Sequence, residues 1–303
     1  MSATLFTTSR GVELTQLPDR FPLLGYLYTN FEKTYNCTPG VEFAKANPMI
    51  PIVLVSVYMA SIYFGQKYMA TRERFDLRNN LAMWNLFLCT FSFMGAMRTV
   101  PHLMYNLTNM SLEQTMTQVS ANDWGDGATG LWVQLFIFSK IPELWDTFYI
   151  VARQRPLLFL HWYHHVTVLL YCWHSYATEA PQALYFVAMN YSVHAIMYGY
   201  YFLMAIAAKD SALKKFLRSI AGMITAMQLS QMVVGIIVQV SSMMVFEDGS
   251  KTCALNKENL IAGGLMYGSY FLVSNESQAL QVRQPPTHTQ FTPLVASFSS
   301  SSS

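Results

Sequence analysis

The sequence predicts an all-α, polytopic membrane protein with six full transmembrane helices and a short or truncated seventh. Hydrophobic residues make up 52% of the chain and charged residues only 12%, about half the charged share of a soluble globular domain. The apolar residues gather into runs that approach or exceed the ~20 residues a spanning helix needs. Short basic clusters fall on alternate sides of those runs. A net charge of +2 leaves no basic field for nucleic acid, so the lipid bilayer is the expected surrounding.

Residues 1–47 are polar and lack the apolar stretch of a cleavable signal, so they read as a separate N-terminal segment. The first span falls near residues 49–66 and is followed by Lys67, Arg72, Arg74 and Arg78; the second falls near 80–104. Arg153 and Arg155 follow the third, near 130–150, and the fourth lies near 157–175. After the fifth, near 182–207, come Lys209, Lys214, Lys215 and Arg218, which lead into the sixth near 219–245. The positive-inside rule makes those basic loops cytoplasmic and the N-terminus lumenal. The opposite loops carry Asn36-Cys-Thr, Asn106-Leu-Thr and Asn109-Met-Ser, so Asn36, Asn106 and Asn109 are candidate glycosylation acceptors of a glycoprotein. Near 259–274, the stretch Leu260 to Val273 is barely long enough to span before Ser274-Asn275-Glu276-Ser277 turns polar. The expected organisation is one membrane domain over 48–274 with no internal repeat, then a disordered tail over 275–303. Of four cysteines, only Cys37 and Cys253 are placed to meet an oxidising lumen.

Ionisable groups inside such spans are costly and point to function. In the third span, Lys140, Glu143 and Thr147 share a helical stripe about 60° wide with Asp146 on its flank, and Pro142 interrupts the backbone ladder. Lys140 with Glu143 fits either a local ion pair that locks packing or a direct role in holding the phosphates of a nucleotide-bearing substrate. In the fourth span, His161, His164 and His165 fall within about 100° of one helix face, whereas His174 reads as interfacial. The fifth puts Asn190, His194, Met197 and Tyr201 on one stripe beside Tyr198 and Tyr200. Thr225, Gln228 and Gln231 in the sixth read first as interhelical hydrogen-bonding groups.

Two chemistries suit a histidine box. HxxHH resembles the boxes of membrane desaturases and hydroxylases, but that chemistry draws on more imidazoles than the four that these spans supply. The alternative is acyl transfer, in which a neutral imidazole attacks a thioester or shuttles protons. It needs neither metal nor cofactor beyond its substrates.

Taken together, Lys140, Glu143, Asp146 and Thr147 as KxxExxDT, His161, His164 and His165 as HxxHH, Asn190, His194, Met197, Tyr198, Tyr200 and Tyr201 as NxxxHxxMYxYY, and Thr225, Gln228 and Gln231 as TxxQxxQ resemble the fatty acid elongase family. The resemblance covers roughly residues 45–272. It implies a helical barrel around an acyl tunnel in the endoplasmic reticulum membrane, and condensation of a long-chain acyl-CoA with malonyl-CoA to 3-oxoacyl-CoA, CO2 and CoA. Trp162-Tyr163 and Asn190-Tyr191 look like the branch that extends C16 saturated and monounsaturated chains. The implied catalytic residues are His161, His164, His165 and His194, with His164 as nucleophile. The implied substrate-binding residues are Lys140, Glu143, Asp146, Thr147, Asn190, Met197, Tyr198, Tyr201, Gln228 and Gln231. Implied partners are other elongases, in homo- or hetero-oligomers, and the downstream elongation enzymes. The C-terminus departs from the family pattern of a full seventh helix and a basic tail, which leaves an inactive partner of other elongases as a further reading.

Overall fold

In hydrocarbon a helix satisfies its own backbone hydrogen bonds, and the long apolar runs of this chain wind accordingly. The structure is a computed structural model that describes residues 6–8, 11–14, 16–21, 25–247 and 254–283. A two-residue antiparallel pairing of β1 (Phe6–Thr7) with β2 (Glu13–Leu14) precedes the short helices α1 (Leu17–Arg20), α2 (Asn30–Lys33) and α3 (Thr38–Ala46). The long elements are α4 (Met49–Met69) and α5 (Arg78–Asn109); then, after the short α6 (Leu112–Thr117), come α7 (Gly127–Glu143), α8 (Trp145–Ala152), α9 (Phe159–Ala177), α10 (Ala183–Ile206), α11 (Ala212–Glu247) and α12 (Lys257–Arg283). Among the described residues, α4, α5 and Ala212–Phe246 of α11 are long and apolar enough to cross a membrane by length and composition. The helices between them are shorter or carry the polar motif residues.

Contacts run from α5 to α7, α7 to α9, α9 to α12, α12 to α11, α11 to α10 and α10 back to α5, while α4 packs only against α8 and α9 among these pairings. The closest pairing is α5 with α10. At Gly95 an added Cβ would strike the Tyr191 ring, and at Gly199 it would meet Cys89 Sγ at 3.2 Å. Small residues at these two positions let the backbones approach. Tyr191 then sits between Phe91, Trp132 and Phe136 and donates its hydroxyl to the Trp132 carbonyl at 2.9 Å.

Three expectations change. The last helix does not end at Ser274: α12 continues to Arg283 over 27 residues, about 40 Å at 1.5 Å per residue. Apolarity alone suggested a stop, but Glu276, Gln278, Ala279, Leu280 and Gln281 are good helix formers and no Gly or Pro interrupts them. The expected tail over 284–303, with His288, lies outside the described residues, as does Cys253 of the cysteine pair. The third span is also not one helix, because the chain steps at Leu144, just after Pro142, and its N–H bonds the Ile141 carbonyl at 3.1 Å. Finally, Asn106 is 2% exposed and its side-chain amide donates to Asp123, so it is closed to modification in the folded chain, while Asn36 and Asn109 are exposed.

The N-terminal segment is bound to the ring by a buried ion pair. Arg98 of α5 reaches Glu32 of α2 with Nε–Oε1 at 3.0 Å and donates to the Leu27 carbonyl at 2.8 Å, and the Trp132 indole donates to Glu32 at 2.8 Å. Burial pushes the Glu32 carboxyl up, but the Thr29 N–H, the Trp132 indole and Arg98 together hold it below its ordinary range. A depressed folded value contributes stability above the unfolded value of about 4.3 that is lost as pH falls through the folded one. Arg98→Ala is expected to lower thermal stability in detergent by about 3–5 kcal/mol by leaving a buried charge unpaired. Glu32→Gln is expected to be less stable at neutral pH and to lose less on acidification than the unaltered protein. Asn106→Gln is expected to leave electrophoretic mobility before and after deglycosylation unchanged.

Candidate active site

The step at Leu144 sends the four motif residues of α7 and α8 in three directions. Lys140, 3% exposed, pairs with Glu143 at 2.7 and 2.9 Å, and Ser139 donates to the same carboxylate at 2.9 Å. Asp146 turns away to accept the Trp84 indole N–H at 2.5 Å and the Tyr198 hydroxyl at 2.7 Å, which ties α8 to α5 and α10. Thr147 turns toward the histidine box and meets His161 Nε2 at 3.0 Å. Of the two readings open for Lys140, its geometry supports the ion pair, since its ammonium is already engaged within the bundle.

That ion pair also reaches the second histidine face. Lys140 Nζ lies 3.4 Å from Asn190 Oδ1, and Asn190 Nδ2 lies 3.2 Å from His194 Nε2. An ammonium only donates, so the amide oxygen faces Lys140 and its NH2 faces the ring. His194 therefore accepts on Nε2 and carries its proton on Nδ1. The chain Glu143–Lys140–Asn190–His194 crosses from α7 to α10 and leaves none of its charges without a partner.

On α9 the box rings lie close together, with centroids 4.6 Å apart for His161 and His165 and 5.7 Å apart for His164 and His165. A proton on His194 would be repelled by one on His164 or on His165. Among the described residues neither the His164 nor the His165 ring has a hydrogen-bond partner, and His164 is the less buried of the two. The Tyr270 ring of α12 sits 5.6 Å from that of His164, and its hydroxyl lies 3.4 Å from the His164 carbonyl. Among the described residues no three His, Cys, Asp or Glu side chains form a group able to hold a metal ion.

Other motif residues have packing roles. Gln228 donates to Met197 Sδ at 2.9 Å, whereas Gln231 Oε1 is buried with no partner among the described residues. Tyr201 packs with Tyr198 and Tyr200 in a cluster with Leu88, Met204 and Leu217, and through Tyr198, whose ring sits 5.3 Å from that of His194, the cluster borders the second histidine face. Sequence reasoning passed over Trp84, Tyr58, Ser139 and Tyr270, because single aromatic or hydroxyl residues in apolar runs carry no spacing signal. An expected outcome separates the roles within the motif. Asp146→Ala strands the buried Tyr198 hydroxyl and the half-buried Trp84 indole, with a cost of about 1–3 kcal/mol for a buried donor, so its melting temperature in detergent should fall clearly, with Asp146→Asn falling less because an amide oxygen still accepts.

Comparison with known proteins places this sequence among relatives. Residues 43–274 match the ELO family, described as GNS1/SUR4. The chain is 41% identical over 218 residues to a very long chain fatty acid elongase 6 of Drosophila melanogaster, covering 72% of this chain and 67% of that one. It is 37% identical over 243 residues to the very long chain fatty acid elongase 6 of Gallus gallus, covering 80% and 88%. A fatty acid elongase 3 of Trypanosoma cruzi is 37% identical over 272 residues, covering 82% and 89%.

Proposed function

The chain belongs to the ELO (GNS1/SUR4) family, and from that premise we propose that it is the condensing enzyme of fatty acid elongation in the endoplasmic reticulum membrane. It joins a long-chain acyl-CoA, C16 saturated or monounsaturated, to malonyl-CoA and yields 3-oxoacyl-CoA, CO2 and CoA. The ring of contacts among α5, α7, α9, α12, α11 and α10 supports a barrel around the acyl chain, with α4 outside it.

The observation that carries this reading is an imidazole cluster in which His161 and His194 each have Nε2 engaged, while among the described residues the His164 and His165 rings have no hydrogen-bond partner and His164 is the less buried of the two. A nucleophile needs a free lone pair. The His164 nitrogen attacks the thioester carbonyl and the C–S bond breaks, so that CoA leaves as a thiol with the proton shed by the ring. An acyl-imidazole remains. Malonyl-CoA then loses CO2, the resulting carbanion attacks the acyl carbonyl, and the imidazole departs as the new carbon–carbon bond forms. His194, with its proton on Nδ1 fixed by Asn190, donates toward the thioester oxygen where negative charge develops. His165, packed against both box neighbours, relays the ring proton to the departing thiol and, in the second step, passes a proton from water to the departing imidazole. Gln228, whose amide donates to Met197 Sδ at 2.9 Å, keeps its carbonyl oxygen to meet the pantetheine arm.

Protein in lipid, incubated with radiolabelled malonyl-CoA and palmitoyl-CoA, is expected to release a labelled 3-oxo product two carbons longer. His164→Ala is expected to abolish it, and Asn190→Ala to lower kcat by about 10²-fold or more, the scale of losing one aligned donor to the developing charge. Absence of the product from the unaltered protein would refute the proposal. Oxygen-dependent desaturation with stoichiometric iron would replace it.

A further inference from the structure

α4 contributes little to the bundle. Of its residues only Pro51, Tyr58 and Met69 are buried, and its apolar side chains, Ile52, Val53, Val57 and Phe64 among them, face outward. Tyr58 is the exception that carries a polar atom inward. It is 6% exposed, its hydroxyl lies 2.7 Å from Thr147 Oγ1, and its ring sits 6.4 Å from that of His165. Thr147, 2% exposed, in turn lies 3.0 Å from His161 Nε2.

Counting protons gives this chain a direction. A buried hydroxyl proton must find an acceptor, and among the described residues the only side-chain partner of Tyr58 is Thr147. Tyr58 therefore donates, and Thr147, which has a single hydroxyl proton, passes it to His161 Nε2. A neutral imidazole that accepts on Nε2 carries its hydrogen on Nδ1. Such a ring has no free lone pair.

We propose that Tyr58, from the helix outside the ring, is a positioning residue that locks His161 through Thr147 in the Nδ1–H form and so removes it from the bases and nucleophiles of the site. The inference rests on the elongase reading for its catalytic meaning, but its geometric content is independent of turnover. With His161 spoken for, proton transfer in the box falls to His164 and His165. Removing the Tyr58 hydroxyl releases the Thr147 side chain to turn its proton back to a carbonyl of its own helix, the usual alternative for a helical threonine, and there it accepts from His161 Nε2–H as readily as it donates.

The test is solid-state 15N NMR of the full chain in lipid bilayers with ring-labelled histidine, the His161 signals being those lost in His161→Gln. The unaltered protein is expected to show His161 as Nδ1–H. Tyr58→Phe, which keeps the ring, is expected to convert His161 to a mixture of both forms, and Thr147→Ser to preserve the original one. Should Tyr58→Phe not fold, Thr147→Val must produce the same loss of a single form. An Nε2–H ring in the unaltered protein, or an unchanged His161 signal in the variant that folds, overturns the inference. In turnover assays Tyr58→Phe is expected to lower kcat by about tenfold or more, the direction taken when an active-site imidazole loses its tautomer, with KM for acyl-CoA unchanged. An unaltered protein that elongates nothing while its His161 responds to Tyr58→Phe would refute the function and not the relay.

Discussion

A lone ionised or hydrogen-bonding group in hydrocarbon is too costly to keep, and the interior of this protein is organised around that cost. Glu143, Lys140, Asn190 and His194 form one continuous donor–acceptor chain from α7 to α10. Each member satisfies the next: the carboxylate holds the ammonium, the ammonium orients the amide, and the amide orients the imidazole. Without the Glu143 carboxylate, Lys140 would be an unpaired buried charge, and without Lys140 nothing would fix which way Asn190 points. The tautomer of His194 is thus set by a carboxylate two links beyond the amide that touches it.

The same constraint explains why the helix of the third span is broken. A continuous helix would keep Lys140, Glu143 and Thr147 on one face, and a single face cannot supply an ion pair, a clasp and a link to the histidine box at once. The step at Leu144 lets Glu143 stay with Lys140 while Asp146 accepts from Trp84 and Tyr198 and Thr147 turns to His161. Two helices on opposite sides of the break are thereby fastened to three others. Stability and site geometry come from the same hydrogen bonds, so a change at one motif residue is felt as both.

Sequence spacing made the helical class and the box on one helix face legible, because a period of 3.6 residues places His161, His164 and His165 together whatever surrounds them, while of the expected spans three are long and apolar enough to cross a membrane among the described residues. It also marked Lys140 with Glu143 as an i,i+3 pair. The break at Leu144 was only half legible: Pro142 announced an interruption, but its consequence for Asp146 and Thr147 depends on which neighbours approach. Tyr58, Trp84 and Tyr270 were invisible, since their roles arise from pairings across 89, 62 and 106 residues of sequence. The extent of α12 was misjudged because an apolarity criterion describes the thickness of the bilayer and not the length of a helix. Buried Asn106 could not be told from an accessible acceptor, because the triplet that defines the acceptor says nothing of the Asp123 side chain that claims it.

The central claim is that His164 is left free to take up an acyl group while His161 and His194 are each held through Nε2. Intact-protein mass measurement after incubation with acyl-CoA, in the absence of malonyl-CoA, tests it directly. The account predicts a mass increase of a single acyl group, located on His164, absent from His164→Ala, and discharged when malonyl-CoA is added. A protein that stays unmodified under those conditions, or that carries its acyl group on His161 or a cysteine, would contradict it.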